Sequence, residues 1–426
     1  MEITGADRRI LWWQPMLMLG VLAGCTSSRS VPARPTERPS PSSSEVEVRI
    51  GLSVGVGSTS VGGGGAVAIN EPDGTPVVTI PRGEQWQVTV AGPGLAITSP
   101  SGWVSSRLEA VSFAATDPRT PLWVNGKAYR GVGEIIRDRT GLTIVNRLGL
   151  ESYLLGVVSA EMGHRSSVEH AALEAQAVAS RTYALKNLRR WRAAGFDLYG
   201  TVADQAYGGV AAETPEGRAA VSETRGRVLT YDGGLIEAFY FSTCGGRTAE
   251  GYEVFRGAGR PYLRSVSDMN ENGSAYCSIS PRYRWREEWS GEALRATLQR
   301  NLPPVPGRMS PTIVTVTDLR VTQRSASGRV EQISIGLGAT EVRVDGHTRI
   351  RQLLRLPNGQ LLRSTAFSVT ATGAGRNVTS VVIDGAGAGH GVGLCQWGAV
   401  GRARAGQGYQ QILAAYYPGT RLERRY

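Results

Sequence analysis

Residues 150–184 read LESYLLGVVSAEMGHRSSVEHAALEAQAVASRTYA, and this stretch decides how the rest of the chain is interpreted. Ser166, with Glu169 three residues later, resembles a capping box and predicts the start of a helix. The alanine-rich sequence that follows predicts a helix that runs to about Arg192 and is stopped by Gly195. Because small residues occupy several faces of this helix, we expect it to pack closely on more than one side, as the central helix of its domain.

The sequence on both sides of this helix carries strand patterns. Short strands are predicted at 46–50, 77–80, 86–90, 235–241, 313–335 and 367–383, and a short closing helix at 410–416. Glycine-containing turns separate the N-terminal strands. We therefore predict an α+β fold, in which a β-rich N-terminal region, residues 46–123, precedes a mixed α/β domain built around the alanine-rich helix.

Residues 1–25 resemble a bacterial lipoprotein signal peptide. Two arginines precede an apolar run at 10–21, which is shorter and more interrupted than the ~20 residues of a membrane-spanning helix. The sequence Leu-Ala-Gly-Cys at 22–25 resembles a lipobox, so we predict lipidation of Cys25; an ordinary signal peptide with an incidental cysteine is the alternative. Residues 26–45, rich in Ser, Pro and Arg, predict a disordered linker. The chain is therefore predicted to be an exported lipoprotein of the cell envelope, anchored in a membrane by its N-terminal lipid and facing the periplasm or the outer surface.

The chain is basic, with 47 Lys and Arg against 36 Asp and Glu and a formal net charge of +11. A positive balance favours binding to anionic polymers and surfaces in general, and by itself it does not distinguish nucleic acid from an acidic glycan or a lipid headgroup. Export separates the protein from nucleic acid, so we predict no nucleic-acid partner.

Four blocks of sequence, in this order, resemble the SpoIID/LytB family, which comprises stage II sporulation protein D and the amidase enhancers. They are the stretch 150–184, DQAYGG at 204–209, YFSTCGGRT at 240–248 and GAGHGVGLCQWGA at 387–399. The resemblance extends over residues 124–426 and implies a SpoIID/LytB-like domain there. A role in sporulation does not follow from it, because relatives occur outside spore formers.

The resemblance implies that Glu161, in the sequence Ala-Glu-Met, is catalytic. The best-understood members of the family are lytic transglycosylases that cut peptide-stripped glycan strands of peptidoglycan. Glu161 would protonate the oxygen between N-acetylmuramic acid and N-acetylglucosamine, and then act as a base while the sugar's own 6-hydroxyl closes a 1,6-anhydro ring. This role needs a pKa raised by a partly apolar pocket, for which Val157, Val158 and Met162 are candidates. Without the resemblance, Glu161 would be interpreted as a solvated or capping acid near a helix start.

The substrate contacts predicted from these blocks are polar side chains that suit a sugar chain. Arg181 or Arg247 would bind the free lactyl carboxylate of a peptide-stripped muramic acid; a structural ion pair of Arg181 with Glu161 or Glu174 is the alternative. His390 would donate to sugar hydroxyls, unless it is a structural histidine. The complete predicted set is Arg181, Gln205, Tyr207, Ser242, Thr243, Arg247, His390 and Gln396.

Three cysteines follow the lipobox, and their odd number permits one intramolecular disulfide at most. We predict a bond between Cys244 and Cys277, both in loop-like sequence, with Cys395 as a buried thiol. Some relatives hold zinc through Cys and His in the block equivalent to 204–207, where this chain has neither residue type. With only four histidines and no close ligand pairs, we predict no metal and no cofactor.

Two rival interpretations keep parts of this prediction. In the first, the domain binds peptidoglycan without cleaving it and stimulates an N-acetylmuramoyl-L-alanine amidase, which is then its partner, and Glu161 is incidental. In the second, the protein is a purely structural envelope lipoprotein that binds no glycan.

Overall fold

A computed structural model describes residues 45–426, except 256, 258, 303–311 and 376. The predicted signal peptide, the lipidation site at Cys25 and the linker up to residue 44 lie outside the described residues. Within the described part of the chain, no helix combines the length and the apolar character that crossing a membrane requires.

The helices and strands of the described residues mix throughout the chain. The helices are α1 (Leu150–Met162), α2 (His170–Lys186), α3 (Pro215–Glu223), α4 (Gly251–Val254), α5 (Gly291–Asn301), α6 (His347–Leu353), α7 (Gln396–Arg404) and α8 (Tyr409–Tyr416). The strands are β1 (Glu47–Val56), β2 (Ser58–Gly63), β3 (Val67–Asn70), β4 (Pro76–Ile80), β5 (Gln85–Ala91), β6 (Gly94–Thr98), β7 (Ala110–Ala115), β8 (Leu122–Val124), β9 (Lys127–Tyr129), β10 (Val132–Arg137), β11 (Leu142–Gly149), β12 (Leu198–Tyr199), β13 (Arg227–Tyr231), β14 (Gly234–Leu235), β15 (Tyr240–Phe241), β16 (Arg284–Ser290), β17 (Asp318–Arg324), β18 (Val330–Leu337), β19 (Thr340–Asp345), β20 (Phe367–Ala374), β21 (Asn377–Ala386), β22 (Leu394–Cys395) and β23 (Arg421–Arg424).

Two sheets form the N-terminal part, which confirms the predicted β-rich region and the α+β class. One sheet has the order β12-β1-β11-β10-β7-β3-β4, and the other has the order β6-β5-β2-β8-β9. The predicted domain boundary between residues 123 and 124 falls inside β8, and β1 pairs along its length with β11. One hydrophobic cluster contains residues from both sides of this boundary, from Val48 to Tyr417. The hydrophobic core of the described residues is therefore continuous across the predicted boundary.

Helix α2 is the central helix that the alanine pattern predicts. It packs against α1, α3, α7, α8 and β13, and its alanines are buried from Ala172 to Ala184. Its bounds differ from the prediction: the capping box of Ser166 and Glu169 starts a 3-10 turn, and α2 itself ends at Lys186. Gly195 instead ends a further 3-10 turn at Arg192–Ala194.

A second hydrophobic core lies between residues 285 and 383. It is enclosed by the sheet β16-β21-β20, the sheet β17-β18-β19 and helices α5 and α6, with Trp289, Leu298 and Ile350 buried in it. The first and last residues of this subdomain, residues 284–386, are neighbours in space, because Arg284 is paired with Ala386 between β16 and β21.

The four family blocks meet in space around the end of α1. Strands β15 and β22 run parallel, with Tyr240 opposite Leu394 and Phe241 opposite Cys395. This short pair places the block 240–248 beside the block 387–399, and both lie against α1 and α2.

Candidate active site

A cleft of about 780 Å³ opens at the C-terminal end of α1. Its walls come from the end of α1, the loop 202–206, strand β15, the segment 360–363 of the subdomain and residues 388–397. The polar and aromatic groups on these walls include Glu161, Arg165, Asp204, Tyr240, Ser242, His390, Gln396 and Trp397. The cleft therefore draws on all four family blocks.

Glu161 is held in this cleft by three donors that carry no charge. The backbone N–H of Ala206 donates to Oε1 at 2.7 Å, and the hydroxyl of Tyr240 donates to the same oxygen at 3.2 Å. Nε2 of Gln396 donates to Oε2 at 3.2 Å. Each of these residues comes from a different part of the chain, so the carboxyl group is fixed by the tertiary fold.

Glu161 lies at the end of a helix, which corrects the expectation that it sits near a helix start. It is the penultimate residue of α1, and Gly163 then caps the helix with a φ of 68°, which glycine adopts without strain. The facing loop approaches α1 closely because Gly156 has no side chain: a Cβ there would lie 2.6 Å from the ring of Tyr207. This close approach delivers the Ala206 N–H to Glu161.

Burial raises the pKa of Glu161 above that of an ordinary glutamate. The hydrogen bonds from Ala206, Gln396 and Tyr240 favour the carboxylate and oppose this rise, but they do not cancel it. Of the apolar residues proposed to line the pocket, Met162 lines the cleft, whereas Val157 and Val158 are fully buried behind it.

Gln205 lies behind the cleft and orients one of these donors. Its Nε2 donates to the Tyr240 hydroxyl at 3.0 Å, and its Oε1 accepts from the Tyr153 hydroxyl at 3.3 Å. Because Gln205 is fully buried, the structure makes it a positioning residue for Tyr240 and not the predicted sugar contact. Gln396 is oriented in the same way, since its Nε2 also reaches Oε1 of Gln176 at 3.4 Å.

Tyr207 is a core residue, and its prediction as a sugar contact is corrected. Its ring packs against the rings of Tyr129 and Tyr153, with centroids 5.7 and 5.0 Å away. Its hydroxyl donates to Oδ1 of Asn146 at 2.8 Å. The side chain thus faces away from the cleft, which leaves no ring surface for a sugar.

Arg181 is also a core residue, and the ion-pair alternative describes it. Its guanidinium is fully buried and donates from Nε and Nη2 to the two carboxylate oxygens of Glu151, each at 2.7 Å. The partner is Glu151, not Glu161 or Glu174. Burial alone would raise the pKa of Glu151, but the hydrogen bonds and charge of Arg181, together with the Tyr426 hydroxyl, lower it below its ordinary value. Arg181 therefore does not reach a substrate carboxylate.

His390 lines the cleft, but both of its ring nitrogens have protein partners. Nε2 lies 2.9 Å from the carbonyl oxygen of Tyr240, and the backbone N–H of Val392 points at Nδ1 from 3.1 Å. Burial lowers the pKa of His390 to about 3, so the ring is neutral. It bridges the two segments that form β15 and the start of the 387–399 block, which agrees with the structural alternative.

The third block contributes one of its three predicted contacts to the cleft. Ser242 is on the cleft wall. Thr243 is buried and bonded to the Ser280 hydroxyl at 2.8 Å, and Arg247 is exposed without lining the cleft. Thr243 and Arg247 thus lie outside the cleft, in contrast to their prediction as substrate contacts.

Five arginines on the cleft walls are additions that sequence reasoning missed, namely Arg165, Arg190, Arg282, Arg351 and Arg363. Arg190 and Arg363 have carboxylate partners in Asp204 and Glu287. Within the described part of the chain, Arg165 and Arg282 form no salt bridge, and Arg165 lies over the Trp397 ring at 4.6 Å. Four of the five, all except Arg165, lie outside the four blocks, so the motifs gave no indication of them. The described part of the cleft wall thus contains five arginines against two carboxyl groups, Glu161 and Asp204, and is basic.

The predicted Cys244–Cys277 disulfide is not formed in the structure, although the two residues are neighbours. Their sulfurs are 3.4 Å apart, whereas a disulfide needs about 2.05 Å, and all three cysteines of the described residues are free and buried. Cys395 is adjacent to these two cysteines, and its Sγ accepts from the backbone N–H of Cys244 at 3.1 Å. The sequence did not indicate this contact, because the two residues are 151 positions apart.

Two family models match the chain. The model of the stage II sporulation protein family matches residues 138–231, which include Glu161, α2 and the 204–209 block. A model for a domain of unknown function matches residues 274–393, which contain the second core.

The relatives extend the match beyond these segments. An uncharacterized protein of Brachyspira hyodysenteriae is 30% identical over 314 residues, which is 73% of this chain and 76% of that protein. Stage II sporulation protein D of Bacillus subtilis is 28% identical, over 67% of this chain and 77% of its own length. The amidase enhancer of the same organism is 29% identical, over 63% of this chain and 40% of its own length. Similarity of this extent, across blocks that converge on one glutamate, establishes that the chain belongs to the SpoIID/LytB family.

Proposed function

We propose that this protein is a lytic transglycosylase that cleaves peptide-stripped glycan strands of peptidoglycan, with Glu161 as its acid and base. Membership of the family supports a function related to the cell wall. The observation that carries the finer proposal is one carboxyl group, Glu161, with a raised pKa, fixed by three neutral donors in an arginine-rich cleft.

A single working carboxyl group fits this reaction. Asp204 also lines the cleft, but its side chain is buried and accepts hydrogen bonds from Tyr183, Arg190 and Trp191. A glycosidase of the usual kind needs two free carboxyl groups. In the proposed reaction the proton of Glu161 goes to the glycosidic oxygen as its bond to C1 of muramic acid breaks. The 6-hydroxyl oxygen then bonds to C1 and returns its proton to Glu161, so no water is consumed.

The arginines without a carboxylate partner among the described residues can bind the negative charges of the substrate. A muramic acid without its peptide has a free lactyl carboxylate, so a bare glycan strand is a polyanion. Arg282 is exposed and Arg165 is partly buried on the cleft wall, and neither has a carboxylate partner among the described residues. We assign to them the role first predicted for Arg181 and Arg247.

The products of the reaction test the proposal directly. Purified protein is incubated with denuded glycan strands, and the soluble fragments are analysed by mass spectrometry. We expect fragments with 1,6-anhydro-muramic acid ends, which are lighter by one water than hydrolysis products. Fragments with reducing ends would contradict a transglycosylase and indicate hydrolysis.

The similarity to an amidase enhancer supports the second candidate function, that of a non-catalytic glycan-binding partner of an amidase. The same assay separates the two candidates when an N-acetylmuramoyl-L-alanine amidase and intact peptidoglycan are added in parallel. Faster release of stem peptides without any anhydro product would favour the enhancer. A protein that neither cleaves glycan nor stimulates the amidase would contradict both.

The cleavage rate should depend on pH through Glu161. A general acid acts only while it carries its proton, and burial extends the protonated form of Glu161 to higher pH than in an ordinary glutamate. We therefore expect initial rates at saturating glycan to fall as the pH rises, with a midpoint above that of an exposed glutamate. In Tyr240→Phe a hydrogen bond that favours the carboxylate is lost, so the midpoint should move further up. A midpoint at the ordinary glutamate value would contradict this assignment.

Arg282→Gln is expected to weaken binding to denuded glycan about two- to fivefold at low salt, with a smaller effect at high salt, because the lost contact is electrostatic. Co-sedimentation with insoluble denuded glycan measures this binding. Arg139→Gln is the matched control, since Arg139 is exposed on a turn outside the cleft and the change in net charge is the same. Equal binding by both variants would show that only net charge matters.

We also propose that the protein acts outside the cytoplasm as a lipoprotein anchored through Cys25. The lipobox-like residues 22–25 support this. Growth of an expressing strain with a labelled fatty acid should label the wild-type chain and leave Cys25→Ser unlabelled. Equal labelling of both chains would contradict an anchor at Cys25.

A further inference from the structure

Three cysteines and one aspartate meet in the interior, beside the cleft but not on its wall. Cys244, Cys277, Cys395 and Asp268 are all buried, and one ligand atom from each lies within 4.8 Å of the other three. The Sγ atoms of Cys244 and Cys277 are 3.4 Å apart, and Oδ2 of Asp268 is 3.3 Å from Sγ of Cys244.

These distances match the edges of a zinc tetrahedron. With Zn–S bonds of about 2.3 Å and a Zn–O bond of about 2.0 Å, neighbouring sulfurs lie about 3.8 Å apart and a sulfur and an oxygen about 3.5 Å apart. The two measured edges are within about 0.4 Å of these values. A bound ion would therefore require only small shifts of the side chains.

Backbone N–H groups already point at the sulfurs. The N–H groups of Cys244 and Gly398 point at Sγ of Cys395 from 3.1 and 3.3 Å, and that of Gly246 points at Sγ of Cys244 from 3.4 Å. Such donors stabilise the thiolate, which is the form that binds a metal. A site of three neutral thiols would gain less from them.

The carboxylate of Asp268 is oriented by outer groups, as metal-binding carboxylates commonly are. Its Oδ1 accepts from the hydroxyl of Tyr416 at 2.5 Å and lies 3.6 Å from Nε of Arg402, which leaves Oδ2 facing the sulfurs. The absence of a side chain at Gly398 makes this possible, because a Cβ there would lie 2.0 Å from the Tyr416 hydroxyl oxygen and 2.8 Å from Asp268 Oδ2.

A buried cation nearby has no carboxylate partner among the described residues. Arg329 is buried, its Nη2 donates to the carbonyl oxygen of Cys244 at 3.1 Å, and its Nε has no hydrogen-bond partner. An isolated buried charge is costly unless it is compensated. Three thiolates, one carboxylate and a divalent ion carry a net charge of minus two, which Arg329 and Arg402 would balance.

We propose that Cys244, Cys277, Cys395 and Asp268 form a structural zinc site. Three thiolates and one carboxylate form a closed four-ligand set, which leaves no open position for a substrate, and zinc suits such a sulfur-rich tetrahedral site. Binding forms three Zn–S bonds and one Zn–O bond and releases the thiol protons to solvent, without a change of oxidation state. This proposal replaces our prediction of no metal, and it does not depend on the transglycosylase proposal.

The site would hold the active-site strands together. Cys395 ends β22 and directly precedes Gln396, while Cys244 follows β15, which contains Tyr240. Both Tyr240 and Gln396 donate to Glu161. Zinc would therefore lock the β15–β22 pair and, through it, two of the three donors that fix the catalytic carboxyl group.

Metal analysis of the full-length protein, purified in detergent without chelators, tests this. Inductively coupled plasma mass spectrometry should find about one zinc per chain. Protein exchanged into cobalt should show the sulfur-to-cobalt charge-transfer absorption and the visible bands of a tetrahedral site. This measurement uses the wild-type protein, so it does not rely on a variant that folds.

The variants locate the ion. Cys395→Ser and Asp268→Asn should lose most of the zinc. His170→Gln should keep it; His170, with Glu174 and Glu223, forms a second, partly exposed group of metal-binding residue types among the described residues. Wild-type protein that binds no zinc after incubation with zinc chloride would overturn the proposal. A Cys244–Cys277 disulfide, detected by mass spectrometry after alkylation of the denatured protein, would overturn it as well.

Discussion

Replacing Glu161 by glutamine is expected to slow glycan cleavage by about 10²- to 10⁴-fold, the usual contribution of a general acid–base group. The amide keeps the size of the side chain and removes the proton that the glycosidic oxygen must receive. The new NH₂ group also lies among hydrogen-bond donors, because Nε2 of Gln396 points at this position. The hydrogen bond of Gln396 to Gln176 opposes a flip of the Gln396 amide that would relieve this conflict. The rate of formation of anhydro ends measures the effect.

Glu174→Gln is the matched control for this experiment. Glu174 is a partly buried glutamate on α2 outside the cleft, so its variant should cleave at the wild-type rate. Thermal unfolding of both variants checks that the fold is intact. If Glu161→Gln cleaves as fast as the wild type, Glu161 is not the acid, and glycan binding without catalysis becomes the better interpretation of the cleft.

Replacing Arg181 by methionine is expected to lower the free energy of unfolding by about 3–5 kcal/mol, because it leaves the carboxylate of Glu151 buried with its main partner removed. Among the described residues, the hydrogen-bond donor that remains to this carboxylate is the Tyr426 hydroxyl. Urea denaturation of the variant and the wild type measures the difference. A replacement of similar shape keeps the packing of the side-chain stem, so the measured loss reports mainly on the charge.

Two comparisons make this result specific to the buried ion pair. Arg119→Met removes one partner of an exposed pair, with 91% of the arginine side chain accessible, and should leave the free energy of unfolding close to that of the wild type. The double variant Arg181→Met with Glu151→Gln should be more stable than additivity of the two single changes predicts. An Arg181→Met protein of wild-type stability that binds glycan poorly would instead restore the substrate role.

The fold class and the central helix could be predicted from the sequence, whereas helix α1 could not. The residue before α1 is Gly149, which has no side chain to cap a helix, and α1 is buried on most of its faces. A helix without a polar face has no 3.6-residue pattern to detect. The end of α1 at Gly163 was therefore missed, and with it the position of Glu161.

The family blocks contain residues of the protein interior as well as residues of the cleft surface. Arg181, Tyr207 and Gln205 belong to the family blocks, yet each is buried and bonded inside the protein. Blocks of this kind specify the framework of a site as much as its surface. The contacts that join them, such as Gln396 with Glu161, bridge 235 residues, so spacing along the chain contains no information about them.

The subdomain with the second core gives the cleft a wall that is built on its own hydrophobic cluster and, in the part of it that the structure describes, donates no hydrogen bond to Glu161. Residues 284–386 start and finish side by side through the Arg284–Ala386 pairing, and they supply Arg351, Gln360, Leu361 and Arg363 to the cleft. Loops within residues 284–386 can lengthen, shorten or change charge without moving the three donors to Glu161, because these donors come from other parts of the chain. In terms of the proposed function, changes in this one wall would adjust the cleft to glycans of different bulk or acidity without changing the contacts of Glu161.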